Sequence, residues 1–412
     1  MKKFISALAA AILVLSACSQ RDGLKISKPE HRGMNGERLT LIDSVVNDAI
    51  VQKLIPGAVV SIVRDDRIVF LEAYGNRQVV PDTVKMTKET MFDLASLSKC
   101  VGTTLSFMQL LEKGLVRLSD RVDRYIPGFE NWTDPQTGEV DEITIQDLLT
   151  HASGLKPYIS EPEYRARFQV NQPDSLMWYI ATQTGRRCKP GTEQIYSCLN
   201  FITLQNILQN VTGKRLCDYA QENVFNALGL KHTTYFPLFG EPQSNPDAEA
   251  LAKLVAPTEV QADGKPLVAQ VHDPIARLGN AGNSGNAGVF SNAEDLSVIA
   301  AALMNGGAIH GKRILGEETV RKMFEIPFDN DPAVARALGW DTYKMYPGTS
   351  GDIFERDHTV GHTGYTGTSI IIDPDTKTAV IILTNRVHPT DDGNIGRVRA
   401  TIANIVASSI EK

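Results

Sequence analysis

Two kinds of hydrophobic periodicity alternate along the chain. Apolar residues at 41, 42, 45, 46, 49 and 50 repeat at helical spacing, which predicts a helix over 41–54. The runs 58–63 and 68–73 are rich in β-branched residues and flank four charged residues, which predicts a β-hairpin. A second hairpin is predicted from 369–373 and 379–384, turning at Pro374-Asp375. Further helices are predicted at 99–113, 144–150, 174–183, 199–212, 216–228, 292–305 and 395–410.

The order of these elements predicts the fold class. Strands lie near both ends of the chain and helices lie between them, so we expect one antiparallel sheet built from both chain ends. Helices would flank this sheet, and a mostly helical domain would be inserted, giving an α/β (α+β) architecture. With 412 residues and 42% hydrophobic content, the chain has enough apolar material for a large core.

The first residues have the pattern of a targeting signal. A short positive region, Met1-Lys2-Lys3, precedes an apolar stretch that is too short to span a bilayer, which takes roughly 20 residues. Small residues then lead to Cys18, and this arrangement resembles the bacterial lipobox. We therefore expect a signal peptide over 1–17, lipidation of Cys18, and a polar tether over 18–40. This predicts a lipid-anchored protein of the bacterial cell envelope.

Charge and cysteine content exclude other classes. The chain has 42 Lys and Arg against 48 Asp and Glu, a net charge of −6, so it has no basic surplus for a nucleic-acid partner. Five cysteines without CxxC or CxxH spacing do not form a metal site or a disulfide scaffold. His358 and His362 lie four apart across a glycine in a non-helical stretch. We accordingly expect no metal and no cofactor.

The strongest chemical signal is Ser96-Leu97-Ser98-Lys99. Serine and lysine three residues apart on a helix share one face, so the amine can reach the hydroxyl and act as its base. The apolar stretch after Lys99 predicts burial, and we expect desolvation to lower the lysine pKa and favour the neutral amine. Ser96 would also lie at a helix N-terminus, where free N–H groups favour negative charge.

The chain contains two further SxxK matches, and neither has this setting. Ser153 to Lys156 runs into Pro157, and Ser409 to Lys412 lies at the C-terminus. Taken alone, Ser96 and Lys99 also fit a helix cap followed by a surface lysine. The interpretation therefore depends on the motifs elsewhere in the chain.

Those motifs resemble the serine β-lactamase and penicillin-binding protein superfamily. The order is SxxK at 96–99, Pro190-Gly191 followed by Tyr196-Ser197 and a helix, and His362-Thr363-Gly364 before a strand pair. The pattern is most similar to the class C-like branch, which includes D-alanyl-D-alanine carboxypeptidases, D-aminopeptidases and esterases. Supporting stretches lie at 92–99, 143–155, 271–273, 287–296 and 383–389.

The resemblance implies a role for each motif residue. Ser96 would be the acylated nucleophile, and Lys99 and Tyr196 would share proton transfer. The backbone N–H groups of Ser96 and Tyr365 would form the oxyanion hole. The remaining substrate-binding positions would be His362, Thr363, Gly364 and Cys198, with Gly364 leaving a strand edge free for substrate.

Two positions depart from the family pattern. Cys198 stands where relatives usually carry Asn or Asp, and a thiol cannot replace an amide that bridges lysine and substrate. Asn286 stands where many relatives carry His. Cys188 and Cys198 could pair in an oxidising envelope, or both could remain free thiols. His151 matches the family as a structural residue at a helix end.

These observations lead to a functional hypothesis. We expect a serine hydrolase that forms an acyl-enzyme on an amide or ester, with a D-amino-acid peptide or small ester as substrate. The alternatives are a class C-type β-lactamase and a non-catalytic penicillin or muropeptide sensor. The catalytic domain would span 41–412, with a sheet subdomain at 41–95 and 287–412 and a helical subdomain at 96–286. The sequence leaves the oligomeric state open.

Overall fold

The computed structural model describes residues 23–328, 334–342, 350–354 and 358–411. Within these ranges, eight strands form the main sheet in the order β1-β3-β2-β8-β7-β6-β5, and β4 pairs with β3. The strands are β1 Lys25–Ile26, β2 Gly57–Arg64, β3 Arg67–Gln78, β4 Val84–Lys85, β5 Asp341–Thr342, β6 Val360–Thr363, β7 Ser369–Asp373 and β8 Thr378–Leu383. Strands from the two ends of the chain meet where β2 pairs antiparallel with β8.

The central strands are buried on both faces, because successive side chains of a strand point to opposite sides. In β2, Val59 and Val63 join the core on the helical-domain side, whereas Val60 and Ile62 join the core on the opposite side. Isoleucines 370, 371 and 372 of β7 divide in the same way. This explains why these strands are continuous apolar runs rather than alternating ones.

Helices cover both faces of the sheet. The first and last long helices, Leu41–Val51 and Gly396–Ser408, share one core with the sheet, and Ala293–Met304 packs on the other face. The remaining helices are Pro29–Arg32, Gly36–Leu39, Lys99–Thr104, Leu105–Glu112, Val122–Arg124, Ile145–Leu149, Glu161–Arg165, Pro173–Thr182, Cys198–Thr212, Leu216–Ala220, Gln221–Phe225, Asn226–Leu228, Ala248–Ala252, Pro274–Leu278 and Glu317–Phe324.

A second sheet, of three short strands, lies immediately before the predicted nucleophile in the chain. Phe92–Asp93 and Thr234–Tyr235 both pair with Val289–Ser291. The Leu94 N–H donates to the Val289 carbonyl at 3.0 Å, so the chain enters the SxxK motif from a fixed strand. Two short hairpins complete the strands: Trp132–Thr133 with Val140–Asp141, and Ala308–Ile309 with Lys312–Arg313.

The predicted tether is wrong for its described part. β1 pairs in parallel with β3, and Met34 and Leu39 are buried in the core beneath Leu41–Val51. The Asn35 N–H donates to the Ser409 carbonyl at 2.7 Å, so this segment also holds the C-terminal end of the chain. Its polar composition concealed two buried apolar side chains that anchor it to the domain.

The observed topology confirms the predicted fold class. The signal peptide and Cys18 lie outside the described residues, and lipidation stays a prediction. The boundaries of the two subdomains also stay a prediction. None of the helices in the described ranges is long and apolar enough to cross a membrane.

Candidate active site

Ser96 lies where the strand Phe92–Asp93 turns into a helix. Residue Ala95 has φ 46°, a backbone conformation that is uncommon for a residue with a side chain and that recurs at functional sites. The Asp93 carboxylate holds this turn by accepting the Ala95 N–H at 2.8 Å. From Ser96 onward the backbone is helical, because the Lys99 N–H donates to the Ser96 carbonyl at 3.0 Å. The predicted nucleophile is therefore half-buried at the first turn of a helix.

Lys99 is completely buried and its ammonium group touches three motif positions. The Nζ atom is 3.0 Å from Ser96 Oγ, 2.8 Å from the Asn286 carbonyl oxygen and 3.6 Å from Cys198 Sγ. It begins a π-helical stretch, Lys99–Thr104, a wider turn that is often found at functional sites. The geometry gives the lysine one fixed position, directed at the serine oxygen.

The electrostatics of Lys99 correct one expectation. Burial lowers the pKa of the Lys99 ammonium as predicted, but attraction to the ionised forms of Cys198 and Tyr196 and a hydrogen bond with Tyr196 raise this pKa, and the balance lies above the usual value. Lys99 is therefore not simply a desolvated neutral amine. The Tyr196 phenol lies against the ammonium and its pKa is shifted by the same charge, so we assign the exchange of the serine proton to the two residues as a pair.

Tyr196 lies over the lysine at the start of the helix Cys198–Thr212. The Lys99 Nζ atom is 5.1 Å from the centre of the Tyr196 ring. Burial raises the pKa of the phenol, whereas the Lys99 charge and a hydrogen bond with Ser96 lower it, and the net shift is upward. Burial thus favours the protonated phenol, which can serve as a proton donor, and the Lys99 charge is the interaction that favours its deprotonated form.

The thiol at position 198 faces the lysine. Burial raises the pKa of Cys198, so the group beside Lys99 is a neutral thiol. The thiols of Cys188 and Cys198 are both free, so the structure does not support the disulfide hypothesis. Asn286 contributes its main chain, since its carbonyl accepts from Lys99 while its side chain accepts from Ser284 Oγ at 2.7 Å.

The third motif lies beside the Tyr196 ring. His362 in β6 is 2% exposed, its ring centre is 6.0 Å from that of Tyr196, and its Nδ1 is 2.8 Å from the Thr363 carbonyl oxygen. A carbonyl oxygen only accepts, so Nδ1 carries the proton. Thr363, the last residue of β6, pairs with Ser369 of β7.

Two threonines fasten the turn after β6 to the strand that carries Ser96. Thr366 Oγ1 donates to the Asp93 carbonyl at 2.7 Å, and Thr368 Oγ1 donates to the Leu94 carbonyl at 3.0 Å. A Cβ on Gly364 would lie 2.4 Å from the Leu94 carbonyl oxygen. The structural requirement for Gly364 is thus close packing of two chain segments, a different reason from the predicted free strand edge.

The two N–H groups predicted to form the oxyanion hole both lie at this junction. Within the described residues, neither the Ser96 N–H nor the Tyr365 N–H donates to a protein acceptor. The Tyr365 side chain turns outward, is 56% exposed, hydrogen-bonds to Asp391 and stacks on His272 with ring centres 5.8 Å apart. The oxyanion role of these groups stays a prediction.

Replacing Gly364 with alanine will lower activity. The added Cβ would overlap the Leu94 carbonyl, so the turn must move away from Ser96, and a displacement near 1 Å costs about 100-fold in rate. We expect kcat/KM to fall by that order. The matched control is Gly396→Ala, where the nearest atom to the new Cβ is a side-chain oxygen at 3.5 Å. Equal activity of the two variants would contradict the packing role of Gly364.

Two buried histidines will make the fold sensitive to acid. Burial, reinforced by the Arg336 and Lys99 charges, holds the pKa of His151 and of His362 well below the usual 6.5. The unfolded chain binds these protons near pH 6.5 and the folded chain does not, so stability is full above that pH and declines as pH falls. Each histidine should contribute a slope of about 1.4 kcal/mol per pH unit below this point.

Denaturant unfolding between pH 7 and pH 5 measures this slope. His151→Asn and His362→Asn should each flatten it by about one proton, whereas His31→Asn at an exposed position should not. An unchanged slope in both buried variants would show that these histidines titrate alike in the folded and unfolded chain.

Sequence reasoning missed Arg336, which lies in the same cluster. Its side chain is completely buried, its guanidinium carbon is 5.5 Å from the centre of the Tyr196 ring, and it forms an ion pair with Asp341. The lysine contact with the Asn286 main chain was missed as well. Nothing in the local sequence around Arg336 indicates that its side chain is buried in the site. The contact with Asn286 uses the main-chain carbonyl, which every residue has, so the identity of the side chain does not reveal it.

Comparisons with known proteins agree with this geometry. The family model described as Beta-lactamase matches residues 42–404. An Escherichia coli K12 protein named D-alanyl-D-alanine carboxypeptidase is 31% identical, covering 88% of this chain and 85% of its own length. A Bacillus subtilis protein named N-acetylmuramyl-L-alanine amidase is 30% identical, covering 88% and 84%.

Solved structures show the same fold at lower identity. EstCE1, a hydrolase with promiscuous acyltransferase activity, superposes with a TM-score of 0.70 at 23% identity, covering 90% of this chain and 99% of its own. A class C beta-lactamase superposes with a TM-score of 0.67 at 18% identity, covering 92% and 97%. The fold and its relatives define a serine hydrolase. The chain belongs to the Beta-lactamase family.

Proposed function

We propose that this serine hydrolase cleaves an amide or ester next to a D-amino acid through an acyl-enzyme on Ser96. The observation that carries the proposal is the 3.0 Å contact between Ser96 Oγ and the buried Nζ of Lys99. The relatives named as a D-alanyl-D-alanine carboxypeptidase and an N-acetylmuramyl-L-alanine amidase support amide hydrolysis, and the ester alternative rests on the resemblance of the motifs to the esterases of the class C-like branch.

The proposed reaction has two half-steps. Acylation starts from the state in which the Lys99–Tyr196 pair has lost one proton: Ser96 Oγ bonds to the carbonyl carbon, its proton passes to the deprotonated member of the pair, and the leaving group departs with that proton, delivered through Tyr196. In deacylation, water attacks the ester carbonyl and gives a proton to the same pair, which returns it to Ser96 Oγ as the acyl group leaves as a carboxylic acid. The N–H groups of Ser96 and Tyr365 would stabilise the oxyanion in both half-steps.

A substrate panel tests the proposal. Purified protein should hydrolyse D-alanyl-D-alanine peptides, D-aminoacyl anilides or p-nitrophenyl esters faster than nitrocefin, and the activity should disappear in Ser96→Ala. A muramyl-L-alanine amide belongs in the panel because of the amidase relative. Faster turnover of nitrocefin would favour a β-lactamase. Stoichiometric labelling by penicillin without turnover of any substrate would favour a sensor.

Cys198 gives a reason to expect poor β-lactam turnover. An amide at this position could donate and accept at once, whereas a thiol does both weakly. Because Sγ is 3.6 Å from Lys99 Nζ, Cys198→Asn should place an amide against the lysine and raise the nitrocefin kcat by about tenfold, the effect of one well-placed hydrogen bond. Cys198→Ser is the control without an amide. Equal rates for the two variants would contradict this explanation.

We also propose that a lipid on Cys18 attaches the enzyme to the cell envelope. The support is the sequence alone: the apolar segment, the small residues and the cysteine that follows them. Cell fractionation tests it. The wild-type protein should sediment with membranes and Cys18→Ala should not, and equal partitioning would refute the anchor.

A further inference from the structure

His151 is attached to the chain on both sides of Tyr196. Its carbonyl oxygen accepts the Ile195 N–H at 2.9 Å, and its Nδ1 accepts the Ser197 N–H at 3.0 Å. Asn200 Nδ2 lies 3.1 Å from the same Nδ1. One residue thus fixes the backbone immediately before and immediately after the tyrosine. Such an arrangement determines where the Cα–Cβ bond of Tyr196 points.

The imidazole also packs against the tyrosine ring. The ring centres of His151 and Tyr196 are 4.4 Å apart, which is a close aromatic contact, and His151 is 0% exposed. The same imidazole is 5.1 Å from the Phe201 ring, on the helix that begins at Cys198. The buried His151 imidazole therefore limits the movement of the Tyr196 ring on the side where the two rings pack.

His151 adopts an unusual backbone conformation to reach this place. Its φ is 59°, in the left-handed region that costs a residue with a side chain free energy. It follows Thr150, the residue that ends the helix Ile145–Leu149, at a position where glycine or asparagine is the usual choice and adopts positive φ at lower cost. The strain instead accompanies the contacts that His151 makes to the Tyr196 segment.

The protonation state of the imidazole is set by its partners. A backbone N–H can only donate, so Nδ1 of His151 is the acceptor and the proton resides on Nε2. Burial lowers the pKa of His151 strongly, and the ring stays neutral. A neutral imidazole keeps its hydrogen bond to Ser197 without adding a charge beside Lys99.

We propose that His151 is a positioning residue that holds the Tyr196 phenol where it can hand a proton to the leaving group. This inference rests on the proposed function, because it concerns the proton that Tyr196 delivers during acylation. His151 itself touches neither Ser96 nor Lys99 in the contacts described above. Its effect must therefore pass through Tyr196.

The test compares two substrates with the same acyl group. The p-nitrophenyl ester of D-alanine releases a stable phenolate and needs no proton, whereas the p-nitroanilide of D-alanine must take one on nitrogen. General acid catalysis contributes at least about 100-fold. We expect His151→Leu to lower kcat/KM about 100-fold for the anilide and less than about tenfold for the ester. Tyr196→Phe slows both substrates, because both lose a member of the pair that accepts the serine proton, but it should lower the anilide-to-ester ratio by at least about tenfold as well.

Three further variants separate positioning from stability. His151→Asn keeps an acceptor near the Nδ1 position and should recover part of the anilide rate; since asparagine also tolerates positive φ, selectivity rather than stability is the readout. His388→Leu removes another buried imidazole that accepts a backbone N–H, from Val79 at 3.0 Å, and should destabilise the fold without changing the anilide-to-ester ratio. In a Tyr196→Phe background, His151→Leu should have almost no further effect on this ratio.

The outcomes distinguish the inference from the proposed function. If neither substrate is turned over by wild type, or Ser96→Ala stays active, the proposed function fails. If Tyr196→Phe leaves the anilide-to-ester ratio unchanged, the proton-donor role of Tyr196 fails and His151 has nothing to position. If Tyr196→Phe changes the ratio and His151→Leu does not, or their effects multiply in the double variant, the positioning role of His151 is overturned.

Discussion

Replacing Ser96 with alanine will remove hydrolysis of every substrate that the protein turns over. Loss of the nucleophile in a serine hydrolase lowers kcat by about 10⁶-fold, because the covalent route disappears while binding remains. We expect at least about a 10⁴-fold fall here. Mass spectrometry after incubation with a fluorophosphonate should show one adduct on wild type and none on Ser96→Ala.

The chain supplies a matched control for this experiment. Ser153 belongs to a second SxxK sequence, but its hydroxyl donates to Asn200 at 2.5 Å and lies at a loop rather than beside a buried lysine. Ser153→Ala should therefore keep its adduct and its turnover. Labelling that persists in Ser96→Ala would place the nucleophile elsewhere.

Replacing Lys99 with methionine will stop acylation while leaving the fold intact. Methionine fills similar volume and removes a buried ammonium, so the destabilisation should be small even though the Asn286 carbonyl loses its donor. Without the lysine amine, the Lys99–Tyr196 pair is incomplete and can no longer accept the proton of the Ser96 hydroxyl. We expect the single-turnover acylation rate to fall about 10³-fold.

Lys156, the lysine of the second SxxK sequence, provides a control that separates the fall in acylation rate from the general loss of a positive charge. Lys156 pairs with Glu163 at 2.8 Å and is half-buried, so Lys156→Met removes a lysine without touching Ser96. Its acylation rate should stay within about threefold of wild type, as expected for a lysine outside the site. An unchanged rate in Lys99→Met, with a normal thermal transition, would refute the proposed base.

The predicted elements agree with the structure where one periodicity dominates. The helix predicted over 292–305 is observed as Ala293–Met304, capped by Asn292, and the strand predicted over 369–373 is observed at those residues. Local capping and burial on both sheet faces determine such elements, and both leave a direct pattern in the sequence. The helix predicted over 41–54 ends earlier, at Val51, and its first residue, Leu41, is 53% exposed.

The segment before residue 41 shows where local patterns mislead. Residues 24–40 lack periodicity, yet Met34 is 1% exposed and the backbone pairs with both β3 and the C-terminal end. Contacts between residues hundreds of positions apart leave no local signature. A short polar stretch with two well-placed apolar residues therefore resembles a linker until the rest of the fold provides its partner.

By itself, the sequence determined which residues can do chemistry and the class of protein that carries them. Serine and lysine one helical turn apart fix their own proximity, because helix geometry is local. The order of the three motifs was sufficient to indicate the family.

Only the tertiary structure decided how these groups are tuned. Desolvation alone would lower the pKa of Lys99, but folding brings Cys198 and Tyr196, about a hundred residues away, against the ammonium and reverses the shift. Folding also presses Gly364 against Leu94 and encloses the Tyr196 ring with His151 and Arg336. Electrostatic interactions and close packing depend on distance in space, which the sequence specifies only through the complete fold.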